Sequence, residues 1–368
     1  MPYDDVIDAI GHTPLVRLTL GRDTGVRVYA KLELQNLYGM KDRVAKRTIL
    51  SAKATGELPD DAPIVESSSG TMALGVALVG TALGHEVHIV TDPRIDPITL
   101  VKLRTLGAHV HIVEAMTGHG WQSARLERLE LLLRDLPGAF WPRQYSNPDN
   151  PLAYEALAAE LSGDLDTIDV LAGTVGSGGS MCGTARTLRR SLPGLRVVGI
   201  DCVGSAIFGQ PDRPQRLQSG LGNSLIPPNV DHAVFDEVHW LNDREAFDST
   251  LELAAEQKIF AGNTSGAVYR VLRHLSEREP PGSVVVGILP DRGDRYHQSV
   301  YDDAYRKAHD LPAMPARRAP VEVEPGTVVG AWSYRVFKGG DRATSDLRRG
   351  QHDRDRHARD PYGAAVGP

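Results

Sequence analysis

Three turns in this chain place hydroxyls and glycines directly ahead of an apparent helix. They are Ser68-Ser69-Gly70-Thr71, Gly176-Ser177-Gly178-Gly179-Ser180 and Gly262-Asn263-Thr264-Ser265-Gly266. A helix N-terminus carries partial positive charge and unpaired amides, so such turns suit anions. The second turn is the strongest of the three. Its glycines let the backbone approach a ligand closely, and Ser177 and Ser180 add donors, which makes a good phosphate cradle. The first has no long glycine run and suits a smaller anion such as a carboxylate. A fourth feature is Lys41, just after an apparent strand and at the start of an apparent helix. A cation is poorly placed there, and a lysine of depressed pKa is an amine nucleophile.

Each feature also has a plain structural use. Ser and Thr are ordinary helix caps, glycine loops are ordinary turns, and a lysine before a helix is usually solvated. The glycine loop is not a Walker A sequence, since no Lys-Ser/Thr pair follows it. Nor is it a clean G-x-G-x-x-G, because Met181 takes the last glycine position. Asp201 ends the next apparent strand, where a dinucleotide site places its ribose-binding acid, so a nicotinamide-dependent oxidoreductase is an alternative.

The elements that must position these residues alternate. Strands are expected near 28–34, 62–66, 85–91, 109–113, 167–172, 196–201 and 284–289. Helices are expected near 44–55, 73–83, 96–106, 121–136, 152–161, 181–191, 243–256 and 265–277. Such alternation indicates an α/β protein with parallel sheets covered by helices. The stretch 144–151, Gln-Tyr-Ser-Asn-Pro-Asp-Asn-Pro, interrupts the rhythm as a turn-rich crossover. From about 311 the chain becomes Pro-rich, then charged and poor in aliphatic residues, and disorder is expected to 368.

Composition removes several function classes. A length of 368 residues allows two domains, and a net charge of -6 does not suit nucleic acid. There is no apolar run of membrane-spanning length, and residues 1–20 lack a signal-peptide layout. Cys182 and Cys202 read as free thiols of a cytoplasmic protein. His85, His88, His109 and His111 lack zinc spacing, so no metal is expected.

Six motifs occur in one order: Asn36 to Lys41-Asp42-Arg43, Ser68-Ser69-Gly70-Thr71, Gln144-Tyr-x-Asn-Pro-x-Asn-Pro, Gly176-Ser-Gly-Gly-Ser, Gly262-x-Thr-Ser-Gly-Ala, and Leu289-Pro-Asp-x-Gly-x-Arg-Tyr. Together they resemble the cysteine synthase/cystathionine β-synthase family of pyridoxal-phosphate enzymes, over about residues 8–305. The resemblance implies fold type II, like the tryptophan synthase β subunit: two three-layer αβα domains, the smaller (36–146) inserted in the larger (1–35 plus 147–310). It implies that Lys41 forms the Schiff base and then acts as base on Cα. Residues Gly176 to Ser180 would hold the cofactor phosphate, Thr264 would meet the pyridine nitrogen, and Asp291 and Tyr296 would lie in the loop closing on the ring. Ser68, Ser69, Gly70 and Thr71 would grip the substrate carboxylate beside Gln144. Thr71 stands where the family's cofactor-binding asparagine is usual, and the Asn36–Lys41 stretch is one residue short.

The implied reaction is β-replacement on an activated serine through an α-aminoacrylate, O-acetylserine plus sulfide giving cysteine being foremost, in a homodimer. A hydroxyl at the ring nitrogen implies a largely unprotonated ring. Alternatives are O-phosphoserine, with Arg213 or Arg216 binding its phosphate, a nucleophile other than sulfide, a desulfhydrase, and a non-catalytic binding homologue.

Overall fold

The computed structural model describes residues 2–117, 121–213 and 215–337. Strands β1 (Leu15–Arg17) and β2 (Arg27–Lys31) lead to helix α1 (Asp42–Thr55). Next come β3 (Ile64–Ser67), α2 (Thr71–Ala82), β4 (Val87–Thr91), α3 (Pro97–Thr105), β5 (His109–Ile112) and α4 (Trp121–Asp135). The chain continues with α5 (Asp149–Leu152), α6 (Glu155–Asp164), β6 (Val170–Thr174), α7 (Gly179–Leu188), β7 (Arg196–Cys202) and β8 (Glu237–Leu241). It ends with α8 (Asp243–Gln257), α9 (Asn263–Arg278), β9 (Val284–Ile288), α10 (Asp303–Ala308), β10 (Val321–Glu322) and β11 (Ser333–Val336).

Two sheets result. The larger has the order β1-β2-β9-β6-β7-β8-β11-β10, and its five central strands from β2 to β8 run parallel. The smaller is the parallel sheet β3-β4-β5, inserted in the chain between β2 and β6. Parallel strands are covered on both faces, which is why their sequences read as apolar runs. Strand β9 shows this directly. Val284, Val286 and Ile288 pack in a core shared with α1, α2, α6 and α7, while Val285 packs in the core under α8 and α9. Side chains alternate faces along a strand, so one run serves both cores.

Three expectations need correction. The strand expected at 28–34 stops at Lys31, and Glu33–Gln35 forms a 3-10 turn. Glu33, in that turn, pairs with Arg43 at 2.7 Å. Strand β8 is absent from the expected strands, because Glu237 and His239 break the apolar pattern of a buried strand. Both are buried, paired to each other at 2.7 Å, with Arg278 at 2.6 Å from Glu237. The disorder expected from 311 does not hold for 311–337. Leu311 and Trp332 are buried, β11 pairs antiparallel with β8, and Glu245 Oε1 accepts the amides of Arg317 and Trp332 at 2.9 Å each. Two apolar anchors and one buried carboxylate hold this segment despite its polar composition. Residues 338–368 lie outside the described residues.

A buried ionic cluster fixes α1 against the large domain. Arg43 Nε donates to Glu33 Oε2 and its Nη1 to Glu160 Oε1, both at 2.7 Å, and Lys31 Nζ lies 2.8 Å from Glu160 Oε2. Thr13 Oγ1 donates to Glu33 at 2.6 Å and Asn36 Nδ2 at 3.1 Å. Two cations meet two carboxylates, and each lone pair finds a donor, the condition under which such a cluster is tolerated. Arg43→Met leaves Glu33 buried and uncompensated. Denaturant unfolding should show a loss of about 3–5 kcal/mol. The Arg43 and Lys31 cations hold Glu160 down at about 2. Its stabilisation is therefore complete above the ordinary glutamate value and lost as pH falls through about 2. In Glu160→Gln that part of the acid transition should be missing.

Candidate active site

Lys41 is the N-cap of α1 and makes no side-chain cap bond. Its Nζ instead donates to Ser177 Oγ at 2.8 Å, across 136 residues of sequence. The lysine and the glycine loop therefore meet. Burial pulls the Lys41 amine down to about 8, and the Glu66 carboxylate pulls the other way. Glu66 is buried near the end of β3 and is itself pushed up to about 7. Its Oε1 accepts from the Ser67 amide at 2.7 Å, and its Oε2 has no partner among the described residues.

The loop from β6 into α7 has the shape of an anion cradle. Gly178 caps α7 at φ +86°, and a Cβ there would stand 2.7 Å from the Asn229 carbonyl oxygen. Only glycine meets both conditions. The first amides of α7 have no intrahelical acceptor and point into the turn. Asn150 Nδ2 donates to Ser177 Oγ at 3.1 Å and to the Gln144 carbonyl, tying the loop to the crossover. The Gly220 carbonyl backs Gly176, and Gly220 also touches the Thr264 methyl, so the cradle runs on toward Thr264. There Thr264 Oγ1 donates to Asp291 Oδ1 at 2.8 Å, and Tyr296 OH donates to Asp291 Oδ2 at 2.6 Å. An amine of near-neutral pKa beside an anion cradle suits a phosphate-bearing aldehyde, and the donor set fits that group.

The first hydroxyl turn faces the same space. Gly70 caps α2, Ser68 Oγ accepts from the Gly70 amide at 3.2 Å, and Gln144 Nε2 donates to the Ser67 carbonyl at 3.3 Å. Thr71 opens α2 with its methyl against Gly39, two residues before Lys41. The residues named from sequence thus gather at one place. Asp201 does not join them. It lies buried under Gly222, Oδ1 accepts the Cys202 amide at 2.8 Å, and burial pushes it up to about 7, so it is no ribose-binding acid. Arg216 is held by Asp212 at 2.8 Å and by the Gly204 carbonyl at 2.9 Å.

Sequence reasoning missed Glu66, Asn150, Gln122, Arg125 and Arg295. Asn150 and Arg295 lay inside quoted motifs, and Glu66 ends the strand before the serines. Gln122 and Arg125 carry no local signal, because tertiary contacts alone bring them to the site. Arg125 Nη1 donates to Ser69 Oγ at 3.1 Å and lies 3.4 Å from Asp92. Arg295 lies 3.4 Å from Asp291 and 3.2 Å from Asp96 of the small domain, beside Gly70. Among the described residues no group of three or more His, Cys, Asp or Glu could hold a metal, and no helix is long and apolar enough to cross a membrane.

Residues 6–291 match the family described as Pyridoxal-phosphate dependent enzyme. The chain belongs to that family. This pyridoxal-phosphate enzyme is 38% identical over 328 residues to the N-(2-amino-2-carboxyethyl)-L-glutamate synthase of Cupriavidus metallidurans, covering 87% of this chain and 94% of the relative. The crystal structure of an O-ureido-L-serine synthase matches with a TM-score of 0.77 at 29% identity, over 82% of this chain and 96% of that one. A cysteine synthase from Entamoeba histolytica matches with a TM-score of 0.77 at 25% identity, over 86% and 97%. The fold is type II of the cysteine synthase/cystathionine β-synthase kind, and the cofactor is pyridoxal phosphate.

Capture of the cofactor aldehyde requires a neutral amine. The rate at which cofactor-free protein takes up pyridoxal phosphate, followed by absorbance, should rise with pH through about 8. Glu66 raises the Lys41 value, so Glu66→Gln should move that midpoint lower. An unmoved midpoint would show that Glu66 does not act on Lys41.

Proposed function

We propose that this enzyme performs β-replacement on an activated L-serine and that the nucleophile is the amine of a second amino acid, L-glutamate. The carrying observation is a cavity beside the substrate turn, lined by Glu66, Ser67, Gln122, Arg125, Trp141 and Gln144 among others. Gln122 and Arg125 line it, and Gln122 Nε2 and Arg125 Nε are buried with no partner among the described residues. Buried donors without acceptors are costly, so they ask for a ligand. A carboxylate on the incoming nucleophile supplies one, and sulfide does not. The relative at 38% identity is named for a product in which such a carbon unit is joined to glutamate.

In this reading Lys41 would hold the cofactor covalently, the Gly176 to Ser180 loop would hold its phosphate, and Thr264 would meet its ring nitrogen. The bound cofactor supplies an electron sink for charge developing at Cα. The amides and hydroxyls of Ser68 to Thr71, with Gln144, fix the substrate carboxylate. Lys41, once freed, takes the Cα proton as base. The leaving group departs from Cβ, the nucleophile's nitrogen bonds there and loses a proton, and Lys41 returns a proton to Cα. The Lys102–Asp294 pair at 2.7 Å and the Arg295–Asp96 pair join the two domains, and closure held by them would exclude water.

A second reading, sulfide adding to give L-cysteine from O-acetylserine, is favoured by the six-motif resemblance. One assay separates the two. The loaded enzyme is given O-acetylserine or O-phosphoserine with either glutamate or sulfide, and products are read by mass spectrometry. The adduct of glutamate should dominate. Arg125→Gln should raise KM for glutamate roughly tenfold to a hundredfold, the worth of a charge-assisted hydrogen bond, and KM for the activated serine by less, through the lost contact to Ser69. Cysteine as the sole product would overturn the amine reading.

A further inference from the structure

One face of the small sheet carries three histidines that the active site does not use. Along β4, Val90 packs with Leu129 and Leu132 of α4, so His88, two residues earlier, faces α4 as well. In register, His88 stands opposite His109 of β5 and Val90 opposite His111, which puts all three imidazoles on that face. The rings stack. His88 lies 4.9 Å from His109 and 5.3 Å from His111, centroid to centroid, at 20° in both cases. His88 Nδ1 and His111 Nε2 share a hydrogen bond at 3.0 Å. Glu86 Oε1, just ahead of β4, lies 3.1 Å from His88 Nε2 and 3.2 Å from His109 Nε2. From α4 the Arg128 guanidinium acts on His111, and β3 places apolar Val65 opposite His88.

A hydrogen bond between two imidazoles needs one ring nitrogen with a proton and one without. Uncharged rings meet that condition. A first added proton has the Glu86 carboxylate beside it. A second has no such partner: it sets two donors against each other across the 3.0 Å contact and adds a cation facing Arg128. Burial, above all, holds His88 and His111 below the ordinary imidazole value of 6.5. The neighbouring rings and, at His111, Arg128 act the same way, and Glu86 opposes them at His88. Groups kept uncharged by docking stabilise the docked helix fully above 6.5, and that stabilisation is lost as pH falls below it. We propose that His88, His109 and His111 form an acid-sensitive latch on α4: with the rings uncharged the helix lies against the sheet, and with a second proton bound it lifts away. Helix α4 carries Gln122 and Arg125, which line the cavity, and Arg125 donates to Ser69 and pairs with Asp92. Release of α4 therefore withdraws Arg125 from the Ser68 to Thr71 turn. The latch works the same way whichever nucleophile the enzyme uses.

The test is hydrogen–deuterium exchange of the holoenzyme, read by mass spectrometry from about pH 8 to about pH 5, the range in which histidine titrates. Rates are corrected for intrinsic exchange at each pH. Protection of the α4 amides should fall by about tenfold per pH unit for each proton gained on release, while α9 of the large domain keeps its protection. Glu86→Gln removes the nearby counter-charge and should move the loosening to higher pH. Arg128→Gln removes the facing cation and should move it to lower pH. The double variant His88→Gln with His111→Gln should keep α4 protected at the acid end. Constant α4 protection in the wild type would overturn the latch, and that measurement needs no variant to fold. So would α4 and α9 loosening together, which is global acid unfolding. Midpoints of Glu86→Gln and Arg128→Gln that fail to move apart would also overturn it, since a merely structural cluster gives that result.

Discussion

A lysine amine and the positive end of a helix face each other across this site, and neither is at rest without an anion. Lys41 Nζ reaches Ser177 at the entry to α7, where unpaired amides already concentrate positive charge. Electrostatics leaves two ways out, a neutral amine or a bound phosphate. The fold arranges both. Burial holds the amine at about 8, and the Gly176 to Ser180 backbone is open to an anion. A phosphorylated aldehyde would satisfy both partners, covalently at one end and by hydrogen bonds at the other.

Holding a cation there requires rigid support, which comes from the residues flanking Lys41. Asp42 Oδ2 accepts the amides of Tyr38 and Gly39 at 2.7 and 3.3 Å, folding the preceding loop back on the helix. Arg43 is locked between Glu33 and Glu160, which belong to the large domain. The small domain is thereby hinged at its base by one ionic cluster and clasped at its mouth by Lys102–Asp294 and Arg295–Asp96. The base pairs are buried and multiply bonded. The mouth pairs are longer or more exposed, and so better suited to open and close.

The alternation of strands and helices was legible because parallel strands buried on both faces are apolar throughout, as in β9. The site was legible where chemistry needs a residue type at a local spacing: Lys41 before a helix, glycines at Gly176 to Gly179, Thr264 at a third helix entry. What stayed hidden depends on distant partners. Glu237 and His239 look like surface residues until Arg278 and Trp332 close over them. Residues 311–337 look unstructured until Glu245 accepts their amides. Arg125 and Gln122 sit on a helix whose sequence marks no site, yet tertiary packing brings both to line a cavity near the Ser68 to Thr71 turn. The same blindness affects Thr264, whose type is visible but whose partner Asp291, 27 residues away, is not.

Everything rests on Lys41 being the covalent anchor of the cofactor. The most direct measurement is borohydride reduction of the loaded enzyme, followed by proteolysis and mass mapping of the modified peptide. The mass of reduced pyridoxal phosphate on Lys41, and its loss in Lys41→Ala, is the expected result. Modification at another lysine, or no stable adduct after reconstitution, would contradict the assignment and remove the basis for the chemistry described above.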